Sequence, residues 1–282
     1  MTENKSKGKN PREFFSDHSG FPSKSLGQNF LKDKNILDKV VSLAELTDKD
    51  EVLEIGPGLG ALTEELAKRA DRVVAVEKDK KLIGRLTELS EAYGNIELIS
   101  EDSLNIDFRN LFKGGGIKVV SNLPYSVSTP ILIKLLETRD IFSTLVLMLQ
   151  LEVGERIASG PGTKKYGSIS VLLQTYFDIT LEFRVPPAAF WPKPKVHSVV
   201  LKLVPLNAPR APIDDEKLYE KVIRAAFSSR RKMLGNSLRS AFPKDFVLKA
   251  LESSGIDRKR RAETLTIQEF SRICKNLSEQ NN

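Results

Sequence analysis

Between residues 51 and 149, short apolar runs alternate with helical patterns, and nothing else in the chain restricts its fold as strongly. The runs are Glu51–Ile55, Arg72–Val76, Ile96–Ser100, Ile117–Ser121 and Leu145–Leu149. Among them, Ala61–Arg69, Lys80–Ser90 and Thr129–Glu137 repeat apolar residues at the spacing of one helix face. Strands this apolar have no wet face, so they predict a mostly parallel sheet covered on both sides by crossover helices. A further helical pattern covers Asn35–Leu46. Two later runs, Thr180–Val185 and Val196–Val204, are joined by a Pro-rich turn and read as an antiparallel pair. The expected architecture is α/β: a seven-stranded, mostly parallel sheet with an antiparallel last pair. After the linker-like segment LNAPRAPI (206–213) only helical patterns follow, which predicts a small all-α C-terminal domain.

The expected domains are a Lys-, Ser- and Gly-rich flexible segment (1–24), a catalytic domain (25–205) and a helical domain (206–282). Charge separates the last two. From residue 205 onward there are 16 Lys and Arg against 10 Asp and Glu, whereas the other 204 residues have 28 against 27. A basic module on a nearly neutral body suggests a polyanion partner. One cysteine excludes an internal disulfide, and with two histidines a metal centre is not expected. The polar N-terminus lacks an apolar signal stretch and no run reaches the roughly 20 apolar residues of a membrane span, so a cytoplasmic location is expected.

The first strand runs into Gly56, Gly58 and Gly60, and a helix follows. Glycines at such a junction let the backbone turn sharply beside a ligand. The G-x-G-x-G spacing differs from the G-x-G-x-x-G that seats a pyrophosphate. The second strand ends at Glu77, followed by Lys78. A carboxylate there can accept both ribose hydroxyls of an adenosine ligand. The third is followed by Asp102 and Ser103, where a carboxylate can meet an adenine amine. Three successive strand ends therefore point to a nucleoside ligand, either a dinucleotide or S-adenosylmethionine.

The fourth strand leads into Asn122-Leu123-Pro124-Tyr125. The lone pair of adenine N6 is delocalised into its ring, so methylation there needs hydrogen-bond acceptors rather than a strong base. The Asn122 amide oxygen and the Leu123 carbonyl are suitable acceptors. Pro124 stiffens the turn that carries them, and Tyr125 offers a ring for base stacking.

These stretches, with Gly27–Leu31 (GQNFL), Lys165–Ser170 (KYGSIS), Phe190–Val200 (FWPKPKVHSVV) and Ala226–Leu238 (AFSSRRKMLGNSL), resemble the ribosomal RNA adenine dimethyltransferase family, most closely its housekeeping small-subunit branch. The resemblance spans roughly residues 25–240. It implies a Rossmann-like S-adenosylmethionine methyltransferase fold and no metal. Asn29 and Leu31 would join the donor site, and Phe190 would face Tyr125 as the second wall of an adenine slot. Arg230, Arg231 and Lys232, in a helical pattern, would contact RNA of the small-subunit precursor, with the protein acting as a monomer. Leu151 and Gly235 depart from the basic residues expected there. Competing readings are a large-subunit methyltransferase of the antibiotic-resistance type, an assembly factor that acts by binding, and a nicotinamide oxidoreductase. The last has no use for Asn-Leu-Pro-Tyr.

Overall fold

The computed structural model describes residues 11–17, 22 and 27–280. In chain order its elements are α1 (Pro11–Asp17), β1 (Phe30–Leu31), α2 (Lys34–Leu43), β2 (Glu51–Ile55), α3 (Ala61–Ala67), β3 (Arg72–Glu77) and α4 (Lys80–Tyr93). Then come β4 (Ile96–Ser100), β5 (Ile117–Asn122), α5 (Ser128–Glu137), β6 (Phe142–Gln150), α6 (Leu151–Ile157), α7 (Ser168–Tyr176) and β7 (Phe177–Val185). They are followed by β8 (Phe190–Trp191), β9 (Ser198–Pro205), α8 (Glu216–Ala226), α9 (Leu234–Leu238), α10 (Lys244–Ser253) and α11 (Ile267–Ser278).

Seven strands form one sheet in the order β4-β3-β2-β5-β6-β9-β7. The pairs among β4, β3, β2, β5 and β6 are parallel, and β9 runs antiparallel to β6. The chain moves outward from β2 through β3 to β4, then returns to lay β5 on the other side of β2. That reversal opens a crevice at the carboxyl ends of β2 and β5, where ligands of open α/β sheets bind. The strands are apolar because both faces are covered: Val52, Leu53, Val73, Val74, Val119 and Val146 are all buried. Local signals agree with the sheet. Asp33 accepts hydrogen bonds from the Asn35 and Ile36 amides to start α2, and Asp79 accepts one from Lys81 to start α4. Gly94 closes α4 in the left-handed conformation.

The chain divides into two compact units. One extends to Gly154 and resumes at Ile179–Pro205; the other comprises Glu155–Asp178 and the chain from Leu206. Residues 155–178, expected in the catalytic domain, thus belong with the C-terminal helices. The reason is α7, which buries Val171, Leu172 and Leu173, and whose Thr175 hydroxyl bonds to that of Tyr219 in α8 at 3.0 Å. The N-terminal segment also differs from expectation. Residues 11–17 are helical, with Phe14 and Phe15 buried; the Phe15 ring centroid lies 5.6 Å from those of Phe30 and Trp191. The rest of the expected flexible segment, apart from Pro22, lies outside the described residues.

Candidate active site

A cavity of about 870 Å³ opens at the crevice beside β2 and β5. The glycine loop forms its floor. Gly56, Gly58 and Gly60 all have positive φ, at 72°, 62° and 82°. Packing fixes two of them further. A Cβ on Gly60 would lie 2.2 Å from Leu89 Cδ1, and one on Gly58 would lie 2.9 Å from the Phe30 ring. These glycines are thus required by the protein's own packing as well as by any ligand. Where the loop begins, the Ile55 amide donates to the buried Ser121 hydroxyl at 2.8 Å, joining the tips of β2 and β5.

Glu77 ends β3 and is only 7% exposed. Its Oε2 accepts from the Gly58 amide at 3.1 Å and its Oε1 from the Asp79 amide at 2.8 Å. Burial raises its carboxyl pKa above the ordinary value, and those two amides partly oppose the shift. Each oxygen keeps acceptor capacity, which suits a pair of vicinal hydroxyls. Asp102 and Ser103 line the same cavity. The Lys78 ammonium donates to Asp102 Oδ2 at 2.5 Å, and the Leu104 amide donates to Oδ1. Lys78, which also lines the cavity, holds the Asp102 carboxyl below its usual range.

Asn122 ends β5 and lines the cavity. Its Nδ2 donates to the Asn29 carbonyl at 3.2 Å, which fixes the amide's orientation, and its buried Oδ1 has no hydrogen-bond partner among the described residues. A buried acceptor without a donor costs roughly 1–3 kcal/mol, so this oxygen is expensive unless a ligand satisfies it. Leu123 is held by its amide's bond to the Met148 carbonyl, and Pro124 packs beside Gly56. Tyr125 lines the cavity, and its hydroxyl shares a 2.5 Å hydrogen bond with Ser198. Asn29 and Leu31 also border the cavity; Leu31 pairs with Phe190 in the antiparallel β1–β8 ribbon.

Phe190 is 1% exposed and packed in the hydrophobic core, and its strand pairs with β1. Arg230, Arg231 and Lys232 are exposed as expected, but they lie in the turn between α8 and α9, not in a helix. At Gly235 a Cβ would come 3.2 Å from the Arg258 Cβ, a tight approach that a larger side chain would have to relieve.

One site residue was not anticipated. Glu54, in β2, lines the cavity at 1% exposure. Burial above all, opposed by a hydrogen bond from Thr63 and aided by the like charge of Glu77, pushes its carboxyl up to about 8. A glutamate inside the buried part of β2, two positions before Gly56, was the available signal. Between about 4.5 and 8 the folded protein holds a proton that the unfolded chain has lost. Stability from this group therefore falls as pH rises through that window, and levels off above it. A cationic ligand would instead favour the ionised carboxyl. Calorimetry of S-adenosylmethionine binding at pH 7, in buffers of different ionisation enthalpy, is expected to show net proton release. Glu54→Gln should reduce it, and identical release in that variant would contradict the assignment.

The family model described as ribosomal RNA adenine dimethylase matches residues 22–279. The chain belongs to that family. It is 44% identical over 263 residues to ribosomal RNA small subunit methyltransferase A of Alkaliphilus oremlandii, covering 91% of this chain and 92% of that one. With the protein of the same name from Geobacter sulfurreducens it is 46% identical over 260 residues, covering 90% and 94%. Among solved structures, a dimethyladenosine transferase from Plasmodium falciparum superimposes with a TM-score of 0.74 at 27% identity, over 89% of this chain and 98% of that one. The 23S rRNA methyltransferase ErmE gives 0.65, also at 27% identity, over 89% and 100%. The family's fold is thus the Rossmann-like one expected, with the Asn122 turn at its switch point.

Proposed function

We propose that this family member transfers methyl groups from S-adenosylmethionine to N6 of adenine in small-subunit (16S) ribosomal RNA. Its substrate is two adjacent adenosines near the 3′ end of that RNA, dimethylated in a precursor particle in the cytoplasm, with the enzyme acting as a monomer. The observation that carries this reading is the buried, unpartnered Asn122 Oδ1 at the cavity. An acceptor held there suits an amine whose hydrogens must be drawn away as it is methylated. The small-subunit target is favoured over the large-subunit one by 44–46% identity to the small-subunit enzymes, against 27% to ErmE.

The residues present fit the donor. Glu77 offers paired acceptors for ribose hydroxyls, Asp102 an acceptor near the adenine, and Glu54 a buried carboxyl for a cation. When bound, S-adenosylmethionine supplies an electrophilic methyl group on a positively charged sulfur. In the first transfer Asn122 Oδ1 accepts one N6 hydrogen and the Leu123 carbonyl the other, drawing the amine out of conjugation; in the second the monomethylated amine has one hydrogen, for one of the two acceptors. Methyl transfer would break the donor's carbon–sulfur bond, leaving a neutral thioether, as the carbon–nitrogen bond forms; N6 would gain positive charge, strengthen the hydrogen bonds it donates, and then release one proton to solvent. Stabilisation is therefore greater at the transition state than in the ground state. Pro124 and the Asn29 carbonyl keep the acceptors in place, and the Tyr125 ring stacks on the extruded base.

Mapping methylated adenines in cells lacking the protein tests the reading. Dimethyladenosine should vanish from small-subunit RNA and return with the wild-type gene, but not with Asn122→Ala. Persistence of the modification would overturn it. The exposed Arg230-Arg231-Lys232 turn serves a different step, since phosphate contacts position a protein without choosing the base. Replacing all three with Ala should weaken particle binding and flatten its dependence on salt by about 0.7–0.9 for each phosphate left unneutralised. Donor affinity should be unchanged. Equal salt slopes for variant and wild type would show the turn to be an ordinary solvated surface.

A further inference from the structure

We infer that the loop between β8 and β9, residues 192–197, grips the RNA strand beside the target adenine, with Lys193 and Lys195 on phosphates and Val196 against a neighbouring base. The inference rests on the adenine reading of the Asn122 site and extends it to the flanking nucleotides. The loop is well placed for this. It ends at Ser198, whose hydroxyl is bonded to that of Tyr125, so it emerges next to the proposed base-stacking ring. The preceding carbonyl, that of His197, accepts from the Leu151 amide at 2.9 Å, which anchors the loop to the sheet.

The loop's residues also suit an RNA strand. Lys193, Lys195, Val196 and His197 are all exposed, and neither lysine makes an ion pair among the described residues. Pro192 and Pro194 alternate with the lysines and restrict φ on both sides of Lys193, so little backbone freedom is lost on binding. Val196 is 43% exposed, one of few large apolar side chains at the surface, and it sits between Lys195 and His197. A target base that leaves its stack exposes the face of its neighbour. An apolar side chain held there covers that face, as apolar wedges do where proteins unstack bases. Lys193 and Lys195, just before Val196, meet the adjoining phosphates.

The test uses the full chain and unmethylated small ribosomal subunits. Lys193→Ala/Lys195→Ala should bind the particle about tenfold more weakly, with a salt slope shallower by about 1.4–1.8, as for two phosphates. S-adenosylmethionine affinity should match wild type, which also reports correct folding. Charge reversal, Lys193→Glu/Lys195→Glu, should lose more. Val196→Ser should keep particle affinity within about twofold but slow single-turnover methylation at saturating particle, with the rate recovering in Val196→Ile. Wild-type affinity and slope in both lysine variants would overturn the phosphate role, and a wild-type rate in Val196→Ser would overturn the wedge. If wild type itself leaves adenines unmodified in these particles, the adenine reading fails, and this inference with it.

Discussion

Asn122→Ala should retain S-adenosylmethionine binding close to wild type while methyl transfer falls on the order of 100-fold or more. The magnitude is that of removing one preorganised hydrogen-bonding group from a developing charge. The expectation follows from where the amide's two ends are committed. Nδ2 is committed to the Asn29 carbonyl, whereas Oδ1 is buried without a partner. Only the second end is available to the reacting amine, and its bond strengthens as N6 becomes positive. Loss of the first end loosens the β1 segment over the cavity, which should cost donor affinity a few-fold at most. Single-turnover rates at saturating donor and particle separate the two effects. A variant that methylates at the wild-type rate would remove Asn122 from the chemistry.

Glu77→Ala should act on the other reactant. With the carboxylate gone, vicinal ribose hydroxyls lose their paired acceptor, and the Gly58 and Asp79 amides lose theirs. Hydrogen bonds to charged groups contribute about 1.5–3 kcal/mol, so donor affinity should fall roughly 10- to 150-fold. Because those amides also shape the glycine loop, the variant's thermal midpoint belongs beside its calorimetry. Unchanged donor affinity in a folded Glu77→Ala protein would place the ribose elsewhere.

The alternating strands and helices were legible because their periodicity repeats over about a hundred residues, and each strand ends near where its pattern stops. The structure extends β3 and β5 by one residue, to Glu77 and Asn122, so the site residues are held by the sheet rather than by loops. What escaped has a physical reason in each case. The β1–β8 ribbon is two residues long in each strand and joins segments some 160 positions apart, too short for any pattern to register. α1 was hidden because two buried phenylalanines lie in a polar, Lys-rich context. α7 passes directly into β7 at Tyr176–Phe177, with no Gly or Pro between them to mark the change. Arg230–Lys232 follow a helical run, but Ser228 and Ser229 break it first. Glu54 lay unnoticed in a strand whose burial was correctly expected, although burial is what makes its charge unusual.

The central claim is that this chain methylates adenine N6 in small-subunit RNA, and in vitro transfer tests it most directly. Purified protein, S-adenosylmethionine with a labelled methyl group, and unmethylated small or large ribosomal subunits are combined, and the RNA is digested to nucleosides for mass spectrometry. Label should appear as N6,N6-dimethyladenosine from the small subunit, and Asn122→Ala should abolish it. Label in another nucleoside, or in large-subunit RNA alone, would contradict the claim.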